Sequence, residues 1–297
     1  MKTYFLALIN IITIILTGCA SSGSGLKIAD GYCPKSYSSE TALWLGGLAN
    51  LAYEEDRDAV RSKLKEQNLT LDEYDFRNKK YSVEGFIAYD KDKAVLAFAG
   101  TDDIKDLKNN AKTWSEPVDD QACGKQLRFH SGFHKAAMEV INDDNGALIA
   151  HLSELQGQGK KVYITGHSLG GALAVITAYY AKTGTKPIDL AGVYTFGQPF
   201  TGDDDFQSCY DEKLKDRTFR FVSDKDVIPK TRLDNSYRHV GLFLFFNEIG
   251  DLQNSKPSDY AGDFMSFAKS NLLNAHSMSS YYSLLKKNSG VNPFACN

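Results

Sequence analysis

The chain has 297 residues, 42% hydrophobic and 24% charged, an ordinary globular composition sufficient to bury one large α/β core. Its net charge of −3, with no interleaved cluster of arginines and aromatics, argues against nucleic acid as a partner. No internal repeat, long low-complexity stretch or proline-rich linker divides the body, so a single domain is expected.

Lys2 precedes an apolar run from Tyr4 to Leu16, too short to span a bilayer comfortably and of the size of a signal-peptide core. The run ends in Leu16-Thr17-Gly18-Cys19, which resembles the lipobox of bacterial lipoproteins. The resemblance implies that residues 1–18 are a lipoprotein signal peptide and that Cys19 is the lipidated first residue, anchoring the protein to a membrane. Ala20 in the next position implies sorting to the outer membrane of the cell envelope if the host is Gram-negative. A plain secretory signal or an uncleaved anchor is the alternative. Ser21–Gly25 reads as a flexible tether, so residues 19–38 are expected to be lipidated terminus and linker, and residues 39–297 the folded domain. The remaining cysteines, Cys33, Cys123, Cys209 and Cys296, are even in number and show no metal-site spacing. In an exported chain they suggest two disulfides, with Cys33–Cys296 and Cys123–Cys209 the preferred pairing and four reduced thiols the alternative.

Along the body, Leu43, Leu45, Leu48, Leu51 and Tyr53 are spaced as in a mostly buried helix behind serine caps. Gly85–Tyr89 and Ala94–Ala99 read as two strands joined by a tight Asp-Lys-Asp turn. A short strand ends at His130, and one helix is expected from His134 to about Leu155. Strand Val162–Thr165, helix Leu169–Lys182, strand Leu190–Phe196 and a helix after Asp203–Asp205 follow in alternation. Arg217–Ser223 and His239–Phe246 are further strands, and the segment from His276 to Lys287 closes as a helix. This alternation predicts an α/β fold with a mostly parallel central sheet flanked by helices.

Gly166-His167-Ser168-Leu169-Gly170 fits G-x-S-x-G between a strand and a helix, the context that motif needs. A sharp strand-to-helix turn presents the serine free of steric cover, and it requires small residues on either side, here Gly166 and Gly170. The same turn aims the Leu169 amide at the place where an oxyanion would form. Ser168 is therefore the candidate nucleophile.

The segments "VYITGHSLGGALA" and "VYTFGQP" resemble the class 3 lipases, the fungal-lipase-like branch of the α/β-hydrolases, and the likeness extends over about residues 40–285. The resemblance implies that residues 39–297 form an α/β-hydrolase domain with a triad in the order Ser, Asp, His. Asp224 and Asp226 both follow a strand. Asp226-Val227-Ile228-Pro229 is similar to the family's acid segment, which favours Asp226 and leaves Asp224 as a solvated carboxylate. Of six histidines, His151 reads as surface, His167 as packing or hydrogen bonding, and His239 as structural. His130 and His134, four apart, lack the glutamate of a hydrolytic zinc helix, and "HSGF" is similar to a structural family segment. His276 matches the family's His-x-Met-x-x-Tyr ending and is the implied base.

"VLAFAGT" resembles the family's oxyanion segment, implying Thr101 as second donor, although Ala99 stands where the family usually has arginine. Ile104, Leu107, Ala111 and Trp114 form one stripe of a short helix. The resemblance implies an amphipathic lid there, with an inward-packing surface helix as the alternative. Asp203–Asp205 complement a helix dipole more simply than they bind calcium, so no metal is expected, and a triad mechanism needs no organic cofactor.

These residues imply a serine hydrolase of lipid esters, triacylglycerol lipase-like, that works through an acyl-enzyme. Phospholipase A1 or an esterase for soluble esters is the enzymatic alternative. An envelope lipoprotein that binds lipid or a partner without catalysis is the non-enzymatic one. The sequence does not specify an oligomeric state.

Overall fold

A computed structural model describes residues 34, 36–74, 76–77, 83–101, 114–142, 147–231, 235–257, 260 and 273–294. The expected signal peptide, Cys19, Cys33, Cys296 and the stripe residues Ile104, Leu107 and Ala111 lie outside them. Among the described residues no helix is long and apolar enough to cross a membrane.

The sheet is built from β1 (Thr70–Leu71), β2 (Gly85–Tyr89), β3 (Lys93–Phe98), β6 (Lys161–His167), β7 (Leu190–Phe196), β8 (Thr218–Ser223), β9 (Leu242–Phe246) and β10 (Leu252–Gln253). They hydrogen-bond side by side in that order. The five strands β3, β6, β7, β8 and β9 run parallel, and β1, β2 and β10 add antiparallel edges. A separate hairpin pairs β4 (Val118–Asp120) with β5 (Lys125–Leu127).

The central strands read as near-continuous apolar runs because both faces of the sheet are covered. In β3, Ala94, Leu96 and Phe98 join the core on one side, and Val95 and Ala97 join the core on the other. The first side is covered by α3 (Ser131–Asn142), α4 (Ala147–Gly157), α5 (Leu169–Thr183) and α6 (Asp204–Leu214). The second is covered by α1 (Ser39–Leu51), α2 (Arg57–Glu66) and α8 (Met278–Lys287), which follows the four-residue α7 (Leu273–His276). Asp90 sets the β2–β3 turn by accepting from the amides of Asp92 and Lys93, both at 2.7 Å.

Several expectations are corrected. The stretch from His134 to Leu155 is not one helix: α3 begins earlier, at Ser131, and packs against a distinct α4. Helix α2 was missed, since Val60 and Leu64 are its only buried positions and give a weak apolar stripe. Tyr53 lies beyond the end of α1, and His239 lies before β9 rather than within it. Trp114 is extended, bridged to His130 and stacked on Tyr237 at 3.7 Å, so it does not continue a helical stripe.

The expected Cys123–Cys209 disulfide is present, with Cα atoms 5.9 Å apart, and it ties the β4–β5 hairpin to α6. It closes a loop with a sequence separation of 86 residues. Cross-links of such loops stabilise by restricting the unfolded chain, typically by about 2–4 kcal/mol. The double substitution Cys123→Ser/Cys209→Ser is expected to lower the unfolding free energy by about that amount, measured by urea denaturation.

Candidate functional site

Ser168 stands between the last residue of β6 and the first of α5, with φ 53° and ψ −124°. For a residue other than glycine this conformation costs about 1–3 kcal/mol and persists only where its surroundings over-determine it. Here they do. The Ser168 amide donates to the Phe196 carbonyl of the neighbouring strand at 2.9 Å. A Cβ at Gly166 would collide with the Gly170 carbonyl, and one at Gly170 would collide with the carbonyls of Ala99 and Phe98. Leu169 opens the helix, so its amide has no acceptor one turn back.

His276 ends α7, and its Nε2 lies 2.7 Å from Ser168 Oγ. Its Nδ1 lies 2.8 Å from Asp226 Oδ2. A carboxylate only accepts, so Nδ1 carries the proton and Nε2 turns its lone pair to the serine hydroxyl. Asp226 follows β8 in a loop where its amide donates to the Ser223 carbonyl and its Oδ1 accepts from the Ile228 amide at 2.9 Å. All three side chains are buried, Ser168 to 1% exposure.

Two features around this line were not read from the sequence as site residues. Tyr281 of α8 donates its hydroxyl to Asp226 Oδ2 at 2.6 Å and accepts from the Ser223 amide at 3.0 Å. Burial, and then the Asp226 charge, hold the phenol far above its ordinary pKa, so it stays a donor. Gly197, with φ +57°, leaves room for the pair: a Cβ there would lie 3.0 Å from both Asp226 Oδ2 and His276 Cε1. The tyrosine of the C-terminal motif was the available signal for the first. The glycine of "FGQP" was the signal for the second.

His167 is tied into the site as well. Its Nδ1 lies 2.5 Å from Tyr53 Oη and its Nε2 lies 2.5 Å from the backbone carbonyl oxygen of His276. Burial, and then the nearby His276, push its pKa well below the ordinary histidine value.

Thr101 directly follows Gly100, where a Cβ would lie 2.9 Å from Ser168 Cβ, so the end of β3 presses against the serine. The remaining candidates sit elsewhere. Asp224 is half-buried, its Oδ1 3.4 Å from Lys230 Nζ. His239 Nε2 donates to the Pro229 carbonyl at 2.8 Å. His130 Nδ1 accepts from the Phe133 amide at 3.4 Å. His151, expected as plain surface, is paired instead with the buried Asp72 at 2.9 Å. Asp203 caps α6 by accepting from the Phe206 amide at 2.9 Å. Asp205 and Asp204 pair with Lys125 and Arg238. Among the described residues no group of three His, Cys, Asp or Glu side chains could hold a metal ion.

With this geometry in hand, relatives sharpen the reading. Residues 95–236 match the family "Lipase (class 3)". The chain is 37% identical over 101 residues to a triacylglycerol lipase of Arabidopsis thaliana, covering 31% of this chain and 20% of the relative. It is 30% identical over 147 residues to a chloroplastic phospholipase A(1) of the same plant, covering 46% of this chain and 33% of the relative. The chain spans less than half the length of the curated relatives it matches. The Rhizomucor miehei lipase propeptide complex superposes with a TM-score of 0.62 at 21% identity, covering 85% of this chain and 81% of that one. The fold is that of the α/β-hydrolases, with the strand order and helical cover described above.

The histidines outside the line give a testable pH effect. His134 stacks on Phe129 and hydrogen-bonds Tyr180 Oη at 3.1 Å, and burial lowers its pKa to about 4 from the ordinary 6.5. Below 6.5 the unfolded chain takes up a proton that the fold refuses, so this group makes stability fall as pH drops towards about 4. Asp211, raised to about 6 by burial, acts with the opposite sign. His134→Phe is therefore expected to flatten the fall relative to the parent between these two pH values, measured as unfolding free energy against pH.

Proposed function

We propose that this chain, whose residues 95–236 are of the class 3 lipase family, is a serine hydrolase of lipid carboxylic esters, triacylglycerol lipase-like. The observation that carries the reading is the unbroken line Ser168 Oγ, His276 Nε2, His276 Nδ1, Asp226 Oδ2, with steps of 2.7 and 2.8 Å at its two hydrogen bonds. A serine hydroxyl is a weak nucleophile until a base at hydrogen-bond distance removes its proton.

In the proposed reaction Ser168 Oγ attacks the acyl carbonyl while His276 Nε2 takes the hydroxyl proton. Asp226 holds the imidazolium in its orientation, and the amides of Leu169 and Thr101 receive the oxyanion. His276 then returns the proton to the departing alcohol. A water molecule, deprotonated by His276, attacks the acyl-enzyme, and the fatty acid leaves.

Phospholipids are the second substrate class, favoured by the likeness to a phospholipase A(1). The lipid anchor belongs to the same proposal. Leu16-Thr17-Gly18-Cys19 after an apolar run supports lipidation of Cys19 and a place on a bacterial envelope membrane, the outer membrane in a Gram-negative host. Mass spectrometry of the N-terminal peptide, against Cys19→Ala, tests it: an unmodified cysteine refutes the anchor.

Fatty acid release is measured from a triacylglycerol emulsion and from phospholipid vesicles at matched interfacial area. Ser168→Ala is expected to abolish release and to prevent labelling by an organophosphonate. Asp226→Asn is expected to lower kcat by about 10⁴-fold through the wrong imidazole tautomer. Folded parent protein that neither hydrolyses nor labels would leave only a binding role for the fold.

A further inference from the structure

The base of the proposed triad has two attachments, and only one is the carboxylate. The other is its own backbone carbonyl, whose oxygen lies 2.5 Å from His167 Nε2. We propose that Tyr53 and His167 form a positioning relay that fixes the His276 main chain, and through it the ring, for proton transfer to and from Ser168.

The chemistry of the three groups sets every proton in the relay. A carbonyl oxygen only accepts, so His167 Nε2 must carry a hydrogen. A neutral imidazole then has its lone pair on Nδ1, and Tyr53 Oη, 2.5 Å away, supplies the hydrogen to it. The order is Tyr53 O–H to His167 Nδ1, then His167 Nε2–H to His276 O. Removing the phenol hydroxyl removes one of the two groups that hold this tautomer and leaves the Nδ1 lone pair without its donor. In the other tautomer a nitrogen lone pair would face the carbonyl oxygen, and the attachment of the base would be lost.

The relay must also be electrically neutral. The rings of His167 and His276 are 4.7 Å apart between centroids, and His276 is to become a cation in each acyl-transfer step. A second imidazolium at that distance would oppose the charge that Asp226 stabilises. Burial keeps His167 neutral well below the ordinary histidine range, in agreement with this role. The Tyr53 hydroxyl has a second neighbour. A Cβ on Gly100 would collide with it, so it sits between the base's anchor and the chain segment that leads into Thr101.

This proposal rests on the ester hydrolase reading, and the test separates the two. Parent, Tyr53→Phe, His167→Leu and His167→Gln proteins are compared on emulsified ester for kcat and KM, and for the rate of phosphonate labelling at Ser168. Melting temperature is recorded for each. Loss of one anchoring hydrogen bond of ordinary strength predicts about a tenfold fall in kcat and labelling rate for Tyr53→Phe, with KM unchanged. His167→Leu, which removes both bonds, is expected to fall by about 100-fold. His167→Gln places an amide N–H where Nε2–H was and is expected to recover most of that loss. In ¹⁵N spectra, parent and Tyr53→Phe are both expected to show His167 protonated at Nε2, with the bare Nδ1 signal of the variant moved to higher frequency by loss of its hydrogen bond. Unchanged kcat in a folded Tyr53→Phe variant, or equal losses in the Leu and Gln variants, overturns the relay. A folded parent that neither hydrolyses nor labels refutes the hydrolase reading instead, and the relay's part in catalysis with it.

Discussion

The backbone of Ser168 is the constraint on which the rest of the structure depends. A serine at φ 53° cannot hold that conformation alone, and the cost is offset by a lattice of close approaches that exclude side chains. Gly166 and Gly170 meet across the turn, and Gly170 also meets the carbonyls at the end of β3. The Phe196 carbonyl of β7 holds the serine amide. Three parallel strands and a helix thus converge on one residue. Their shared C-terminal edge is where open α/β sheets place their ligands.

From that edge the partners arrive by different routes. Asp226 comes from the loop after β8, braced by its own turn and by Tyr281. His276 comes from the short segment before α8, so one helix start carries the base and, five positions on, the hydroxyl that steadies the acid. The packing of α8 on α1 beneath the sheet therefore bears directly on the geometry of the site. His167 adds a link from the nucleophile's own turn back to the base, and its neutral state in a buried setting is consistent with a purely positional part.

Much of this was legible in the sequence because some geometries leave few residue choices. The strand-to-helix turn at Ser168 can be made only with small neighbours, so the glycines announced it. Asp226 and His276 were singled out through likeness to a family, and the structure brings them within hydrogen-bond distance of each other and of the serine. Other features carry a weaker local signature. Tyr281 in a helix reads as a core residue, and its bond to Asp226 depends on how two distant elements dock. The pairing of Tyr53 with His167 spans 114 positions. A histidine next to the nucleophile reads as packing until its two nitrogens are given partners. Helix α2 went unread because two buried apolar residues cannot establish a period. Trp114 fell on a helical stripe by spacing, whereas its stacking on Tyr237 and bridge to His130 hold it extended.

The line from Ser168 to His276 joins residues 108 positions apart, and the bond from Tyr281 to Asp226 spans 55. A growing or partly folded chain can therefore present the serine while base, acid and brace are still unassembled. Until α8 and the segment before it dock, Ser168 lacks the hydrogen bond to His276 and Asp226 lacks the one from Tyr281. A nick or truncation that frees that helix would remove both of these bonds and uncover part of the second face of the sheet. Recovery of the Ser168–His276 contact is accordingly a stricter witness of complete folding than recovery of secondary structure.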